Sequence, residues 1–205
     1  MQGKIAHIAT ALILTLLSVG SSFAQEKQIA IFAGGCFWCV ESDFDQVPGV
    51  LETTSGYIGG NTDRPTYKNH SRGRHREAVE IAFDPTKVSY EELLEIFWRS
   101  IDPTDAGGQF CDRGFSYTTA IYTIDEAQKT LAEDSKSKLV SSSKLKKSIV
   151  TSIEPAVEFW PAETYHQDYY RKNPLRYKFY RSSCGRDKRV KSVWGEEAHA
   201  GLSKH

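Results

Sequence analysis

The stretch HREAVEIAFDPTKVSYEELLEIFWRSIDP, residues 75–103, contains the two clearest periodic patterns of the chain. From Glu77 to Phe83 every second residue faces the same way, with valine, isoleucine and phenylalanine on one side, which is the period of a strand with one buried face. Ser89 and Glu92 form a capping box, and the apolar residues after them recur at the spacing of an amphipathic helix. The stretch therefore predicts a strand followed by a helix that packs on a sheet.

The rest of the chain supplies further elements on either side of this pair. Apolar runs and turn residues predict further strands at 28–33, 50–57, 115–124 and 149–157. Helical spacing predicts helices over 37–47, from 125, over 163–172 and near 185–194, and the segment between the last two helices is predicted to be irregular. Several neighbouring strands are too close in sequence for crossover connections. The order indicates an α+β fold, with a mixed or antiparallel sheet and helices packed on it.

The N-terminal segment has the features of an export signal. Lys4 precedes an apolar run, 8–19, and Ser22-Phe23-Ala24 places small residues at the positions that a signal peptidase reads. We expect residues 1–24 to be a cleavable signal peptide and residues 25–205 to be one catalytic domain, exported to a bacterial periplasm or secreted. The alternative is an uncleaved N-terminal anchor. After cleavage we expect no membrane association.

Charge and cysteine content exclude some classes of protein. The chain has 26 basic and 26 acidic side chains, so it has no basic excess with which to bind nucleic acid. Its four cysteines are too few for a disulfide scaffold of this length. Cys111 and Cys184 are not a second close pair, so we expect no metal site.

The segment GGCFWCVE, residues 34–41, carries the most reactive chemistry. Cys36 follows a strand and begins a helix, where free N–H groups are expected to lower the pKa of its thiol and favour the nucleophilic thiolate. Cys39 completes a C-x-x-C pair one helical turn away. This pair leaves open a thiol–disulfide oxidoreductase, or a metal- or redox-sensing binding module, as alternatives to an enzyme that uses Cys36 as its nucleophile.

Three other residues favour the last of these possibilities. Trp38 lies off the apolar stripe of its helix, beside Phe37, and an aromatic pair near a thiol suits a thioether methyl group. Glu77 occupies the apolar face of its strand, where burial would raise its pKa and make it a proton donor near neutral pH. The alternative is that Glu77 lies at the end of the strand, with its carboxyl group in solvent or paired with Arg74 or Arg76. A thiolate and a proton-donating acid suit the reduction of a polarised X=O group.

Five ordered motifs resemble those of the A-type peptide methionine sulfoxide reductases: GGCFWCVE (34–41), SGYIGG (55–60), HREAVEIAFDP (75–85), DPTDAGGQFCDRGFSY (102–117) and YHQDYY (165–170). The resemblance implies a ferredoxin-like two-layer plait with long coil segments. It also implies repair of oxidative damage by reduction of methionine-S-sulfoxide, free or in proteins. Cys36 would attack the sulfoxide sulfur while Glu77 protonates the oxygen, leaving a Cys36 sulfenic acid.

The same resemblance assigns a substrate pocket. Phe37 and Trp38 correspond to the aromatic residues around the substrate methyl group. The residues that correspond to its polar contacts are Tyr57, Asp112 and Tyr117.

The resemblance also implies recycling of a disulfide by a thioredoxin-like dithiol, with no bound cofactor. The resolving thiol is left open for two reasons. Cys39 stands where the family often has glycine, and the cysteine that follows Asn173-Pro174 lies further along the chain than in many members, at Cys184. We rank the candidates as Cys39, then Cys184, then Cys111. We expect a monomer.

Overall fold

A computed structural model describes residues 27–202, so the predicted signal peptide lies outside the described residues. The strands are β1 (Gln28–Gly34), β2 (Val50–Ile58), β3 (Arg76–Phe83), β4 (Gly108–Gln109), β5 (Asp112–Arg113), β6 (Thr119–Thr123), β7 (Ser152–Pro155) and β8 (Trp160–Pro161). The helices are α1 (Phe37–Phe44), α2 (Tyr90–Ser100), α3 (Glu126–Ser141), α4 (Tyr169–Lys172), α5 (Pro174–Cys184) and α6 (Arg186–Trp194). Between residues 27 and 202, no helix has the length and apolar character needed to cross a membrane.

Six strands form one mixed sheet in the order β7-β6-β1-β3-β2-β8, in which only β6 and β7 are parallel. The inner four strands and helices α1 and α2 follow one another as β1-α1-β2-β3-α2-β6. Their spatial order, β6-β1-β3-β2, is that of a ferredoxin-like plait. The α+β prediction is confirmed.

The main core lies between the sheet and its helices. Phe32 of β1 packs between Phe44 of α1 and Phe97 of α2, with ring centroids 5.5 and 4.8 Å away. Val79 and Ile81 project into the same core from β3, as the alternating pattern predicts. Burying each such side chain contributes about 1.5–3 kcal/mol, so this core fixes the junction between β1 and α1.

Two predicted elements begin later in the structure than expected, and the strand predicted over 149–157 is shorter, at Ser152–Pro155. The strand predicted over 115–124 begins only at Thr119, because Gly114 adopts a φ of +111° and Phe115–Tyr117 form a 3-10 turn. In the helix predicted over 163–172, only α4 is helical, and Asp168 before it has a left-handed conformation.

Helix α5 was expected to be irregular. Pro174 occupies its first turn, where the missing N–H costs nothing. Only Tyr177 and Arg181 are buried, whereas Leu175 and Phe179 are 84% and 76% exposed. The helix therefore lacks the apolar stripe that would have revealed it in the sequence.

Candidate active site

Cys36 lies where β1 passes into α1, and two glycines make this junction possible. A Cβ atom on Gly34 would lie 2.9 Å from Val40 Cγ2. Gly35 has a φ of +88°, and a Cβ atom there would lie 2.6 Å from Gln109 Cβ. Both spacings are too short for a larger residue, so the junction requires the Gly34-Gly35 pair.

Cys36 opens onto a small cavity of about 50 Å³. The cavity draws side chains from α1, β3, β5 and α5, from the 3-10 turn Phe115–Tyr117, and from two loop segments. It is lined by Cys36, Phe37, Trp38, Tyr67, Glu77, Asp112, Tyr117 and Tyr180. Six of these eight were predicted from the sequence. The fold brings all eight together, although Cys36 and Tyr180 lie 144 positions apart in the chain.

Glu77 is buried at the base of this cavity, with 1% of its surface exposed. Its Oε2 atom accepts a hydrogen bond of 3.0 Å from the backbone N–H of Phe37. Burial raises the pKa of Glu77 to about 8, and the nearby charge of Asp112 adds to this, although the Phe37 N–H acts against it. The predicted rise in pKa is therefore confirmed, and the carboxyl group is mostly protonated at pH 7.

No arginine pairs with Glu77 in the described part of the chain. Arg76, its neighbour in β3, points to the opposite face of the sheet, where it binds Tyr122 and Glu154. His70 Nε2 lies 3.7 Å from Glu77 Oε1, but burial lowers the pKa of this histidine and favours its neutral form.

The thiols of Cys36 and Cys39 are both free and buried, with 6% and 2% exposed. Burial and a hydrogen bond with Cys39 raise the pKa of Cys36, as do the carboxyl groups of Glu77 and Asp112. The expectation of a lowered Cys36 pKa is therefore wrong, because these effects outweigh the helix N-terminus. The hydrogen bond from Cys36 instead lowers the pKa of Cys39 to about 7.

Trp38 forms one wall of the cavity and is fixed by two contacts. Its ring stacks on Tyr169 at 3.7 Å with 6° between the planes. Its indole N–H donates a hydrogen bond of 3.0 Å to His166 Nδ1. Trp38 is thus held as a rigid apolar surface beside Cys36.

Asp112 and Tyr180 form the polar side of the cavity. The Tyr180 hydroxyl donates a hydrogen bond to the Asp112 carboxylate, whose pKa is nevertheless raised by burial. A disulfide joins Cys111, next to Asp112, to Cys184 at the end of α5. This disulfide links the two segments that carry Asp112 and Tyr180.

Tyr57 does not line the cavity, which corrects its assignment to the pocket. It is fully buried behind Phe37, and its hydroxyl donates to Glu163 Oε2 at 2.9 Å. The other oxygen of Glu163 accepts from the backbone N–H of Tyr67 at 3.0 Å. Tyr67 takes the place in the cavity that was assigned to Tyr57.

Tyr67 and Tyr180 were missed by the sequence analysis. Tyr67 belongs to an irregular segment without periodicity, and Tyr180 to the helix whose pattern was not recognised. The one signal in the sequence was their position: Tyr67 lies close to Pro65, and Tyr180 lies close to Cys184.

Three comparisons with known proteins agree with this geometry. The family described as peptide methionine sulfoxide reductase matches residues 28–198. Peptide methionine sulfoxide reductase MsrA 2 of Rhizobium meliloti is 56% identical over 181 residues, which cover 88% of this chain and 90% of the relative. The MsrA of Bacillus subtilis is 51% identical over 175 residues, covering 84% and 98%.

Solved structures show the same fold. Methionine sulfoxide reductase A of Corynebacterium diphtheriae has a TM-score of 0.64 and 34% identity, covering 73% of this chain and 76% of that one. Mxr1 of Saccharomyces cerevisiae in its reduced form has a TM-score of 0.66 and 27% identity, covering 72% and 86%.

A plait that places one thiol of a buried pair and a protonated carboxyl group at the same cavity defines a thiol-dependent oxidoreductase. The chain belongs to the peptide methionine sulfoxide reductase family.

Proposed function

We propose that this protein reduces methionine-S-sulfoxide, free or in proteins, to methionine and so repairs oxidative damage. The observation that carries the proposal is the protonated Glu77 carboxyl beside Cys36 in one cavity. A sulfoxide is reduced only if its oxygen acquires protons as its sulfur is attacked. Glu77 supplies a proton, and Cys36 supplies the attacking sulfur.

The cavity orients the substrate in the following way. The methyl group of the sulfoxide lies against Phe37 and Trp38, whose rigid ring offers dispersion contacts. Cys36 Sγ attacks the sulfur, and Glu77 donates its proton to the oxygen. Asp112 and Tyr117 provide polar contacts on the other side of the cavity. Methionine leaves, and Cys36 becomes a sulfenic acid.

Cys39 is the resolving thiol in this proposal. It hydrogen-bonds to Cys36, whereas Cys111 and Cys184 are bonded to each other. The Cys36 sulfenic acid and the Cys39 thiol give a disulfide and one water. A thioredoxin-like dithiol then reduces this disulfide and restores both thiols.

The proposal includes export to the periplasm or the cell exterior. The apolar run 8–19 and Ser22-Phe23-Ala24 support cleavage after residue 24. Sequencing the N-terminus of protein isolated from cells tests this: a start at Gln25 supports export, and an intact Met1 contradicts cleavage.

The reaction is tested with the two separated epimers of methionine sulfoxide and dithiothreitol as reductant. We expect consumption of the S epimer alone, and loss of turnover in Cys36→Ser. If neither epimer is consumed while insulin disulfides are reduced, the protein is a C-x-x-C thiol–disulfide oxidoreductase and the proposal is wrong.

A further inference from the structure

Beneath the thiol pair lies a group of three buried charged residues, Arg181, Asp43 and Arg186, which we call the buried charge cluster. Arg181 Nη1 donates to Asp43 Oδ1 at 2.7 Å, and Arg186 Nη2 lies 3.7 Å from Asp43 Oδ2. All three side chains are at most 5% exposed. The cluster therefore contains two buried cations and one buried anion.

Asp187 compensates only part of this excess. It binds Arg181 at 2.7 Å, but it is 45% exposed and also faces His199. Among the described residues, Asp43 is the one carboxylate at ion-pair distance from Arg186, whose two terminal nitrogens donate to the carbonyl oxygens of Gly34 and Ser100. The Nε–H of Arg186 has no acceptor within residues 27–202.

The two buried arginines share the single fully buried carboxylate of Asp43, so a further anion beside them is favoured. Cys39 is the ionisable group placed to provide it. Asp43 lies one helical turn after Cys39 on α1, and Tyr177, which packs on Cys39, accepts a hydrogen bond of 3.0 Å from Arg181. Both arginines lower the pKa of Cys39. A hydrogen bond couples the two sulfur atoms, and a thiolate accepts such a bond better than a thiol.

Other titratable groups face the pair from each neighbouring element. The Glu77 and Asp112 carboxyl groups lie on the Cys36 side and oppose ionisation of Cys36 itself. Burial and the Asp43 carboxylate oppose ionisation of Cys39, and the hydrogen bond with Cys36 and the two arginines act against them. The tyrosines packed on the thiols come from α4 and α5, and they are Tyr169, Tyr177 and Tyr180. Burial raises the pKa of Tyr177 and of Tyr180, so both remain neutral hydroxyl groups near pH 7.

We propose that Cys39 is the ionised thiol of the resting enzyme, held by the buried charge cluster, and that it accepts the Cys36 proton as Cys36 attacks the sulfoxide. This inference rests on the proposed function. Cys39 then acts twice, first as the acceptor of the Cys36 proton and later as the resolving thiol. Arg181 and Arg186 are then positioning residues that act through Cys39.

The protons and electrons balance over the cycle. Cys36 forms a bond to the sulfoxide sulfur and gives its proton to Cys39, while Glu77 gives its proton to the oxygen. The hydroxyl group is transferred to the Cys36 sulfur as methionine leaves, so the sulfoxide is reduced and Cys36 is oxidised to the sulfenic acid. The Cys39 thiol then attacks the Cys36 sulfenic acid, and water departs. Glu77 takes a proton from solvent, and an external dithiol reduces the disulfide.

Thiolate absorbance near 240 nm tests the first half of the proposal. With the disulfide between Cys111 and Cys184 intact, only Cys36 and Cys39 titrate. We expect a first thiolate to form with a midpoint near pH 7. Arg186→Met should raise the midpoint by about one pH unit, and Arg186→Lys should restore it.

Arg99→Met is the matched control, because Arg99 is also a buried arginine but pairs with Glu197 and packs on Trp194. We expect it to leave the midpoint unchanged. An unchanged midpoint in folded Arg186→Met, or an equal rise in Arg99→Met, would overturn the role of the cluster.

Single-turnover kinetics without reductant test the second half and do not depend on any arginine variant. At pH 7, Cys39→Ser should form the first methionine about tenfold more slowly than the unmodified protein, because no thiolate accepts the Cys36 proton. An unchanged rate would mean that Cys39 acts only as resolving thiol, and the inference would be wrong. If the unmodified protein forms no methionine, the proposed function itself fails.

Discussion

Glu77 shows how one residue out of pattern can identify a reaction. It is a carboxylic acid in a row of buried apolar residues, and its surroundings keep it protonated at neutral pH. The sequence alone predicted its burial and its raised pKa, since both follow from the alternation of β3. It could not reveal the hydrogen bond from Phe37, because that contact joins residues 40 positions apart.

Replacing Glu77 by glutamine tests its role as proton donor. Glutamine preserves the hydrogen bond from Phe37 but has no acidic proton, so we expect kcat to fall by about a hundredfold or more. Binding of the sulfoxide, measured as KM, should change little. Turnover within a few-fold of the unmodified protein would contradict the assignment.

The pH dependence follows from the same group. Because the pKa of Glu77 is about 8, its acidic form is present below that value and is lost as the pH rises through it. We therefore expect kcat to decline above about pH 8 in the unmodified protein. The residual activity of Glu77→Gln should lack this decline. Both are measured as kcat against pH with a saturating sulfoxide.

At the scale of single elements, the junction between β1 and α1 depends on Gly35. Gly35→Ala should destabilise the fold by about 1–3 kcal/mol, because the new Cβ meets Gln109 and the φ is positive. Urea unfolding measures this. Gly185→Ala is the matched control: its φ is also positive, but a Cβ there meets no atom within 4 Å. Equal losses in both variants would show that the close approach is unimportant.

Elements with strong periodicity were predictable, and those held by a few specific contacts were not. Strand β3 and helix α2 follow from the alternation after Glu77 and from the capping box at Ser89, which the structure contains. Helix α5 is amphipathic only through Tyr177 and Arg181, so its pattern was too weak to detect. The cavity residue Tyr180 was lost with it.

For the whole molecule, the disulfide between Cys111 and Cys184 closes the longest covalent loop in the described chain, with a sequence separation of 73 residues. Replacing both cysteines by serine should lower the free energy of unfolding by about 4 kcal/mol, because the unfolded chain loses a constraint. Urea unfolding without reductant checks this value. Turnover with dithiothreitol should persist if Cys39 resolves the sulfenic acid. Loss of turnover in a folded double variant would move that role to Cys184 or Cys111.

The hydrogen bond from Phe37 to Glu77 has a further consequence for thermal motion. The residue that follows Cys36 in the chain carries the N–H group that binds the carboxylic acid. Any small displacement of α1 therefore moves the thiol and the acid in the same direction. Fluctuations of the surrounding fold therefore move both groups together and hardly change the distance between them. This matters because the bond from Cys36 to the sulfoxide sulfur and the bond from the Glu77 proton to the sulfoxide oxygen must form together.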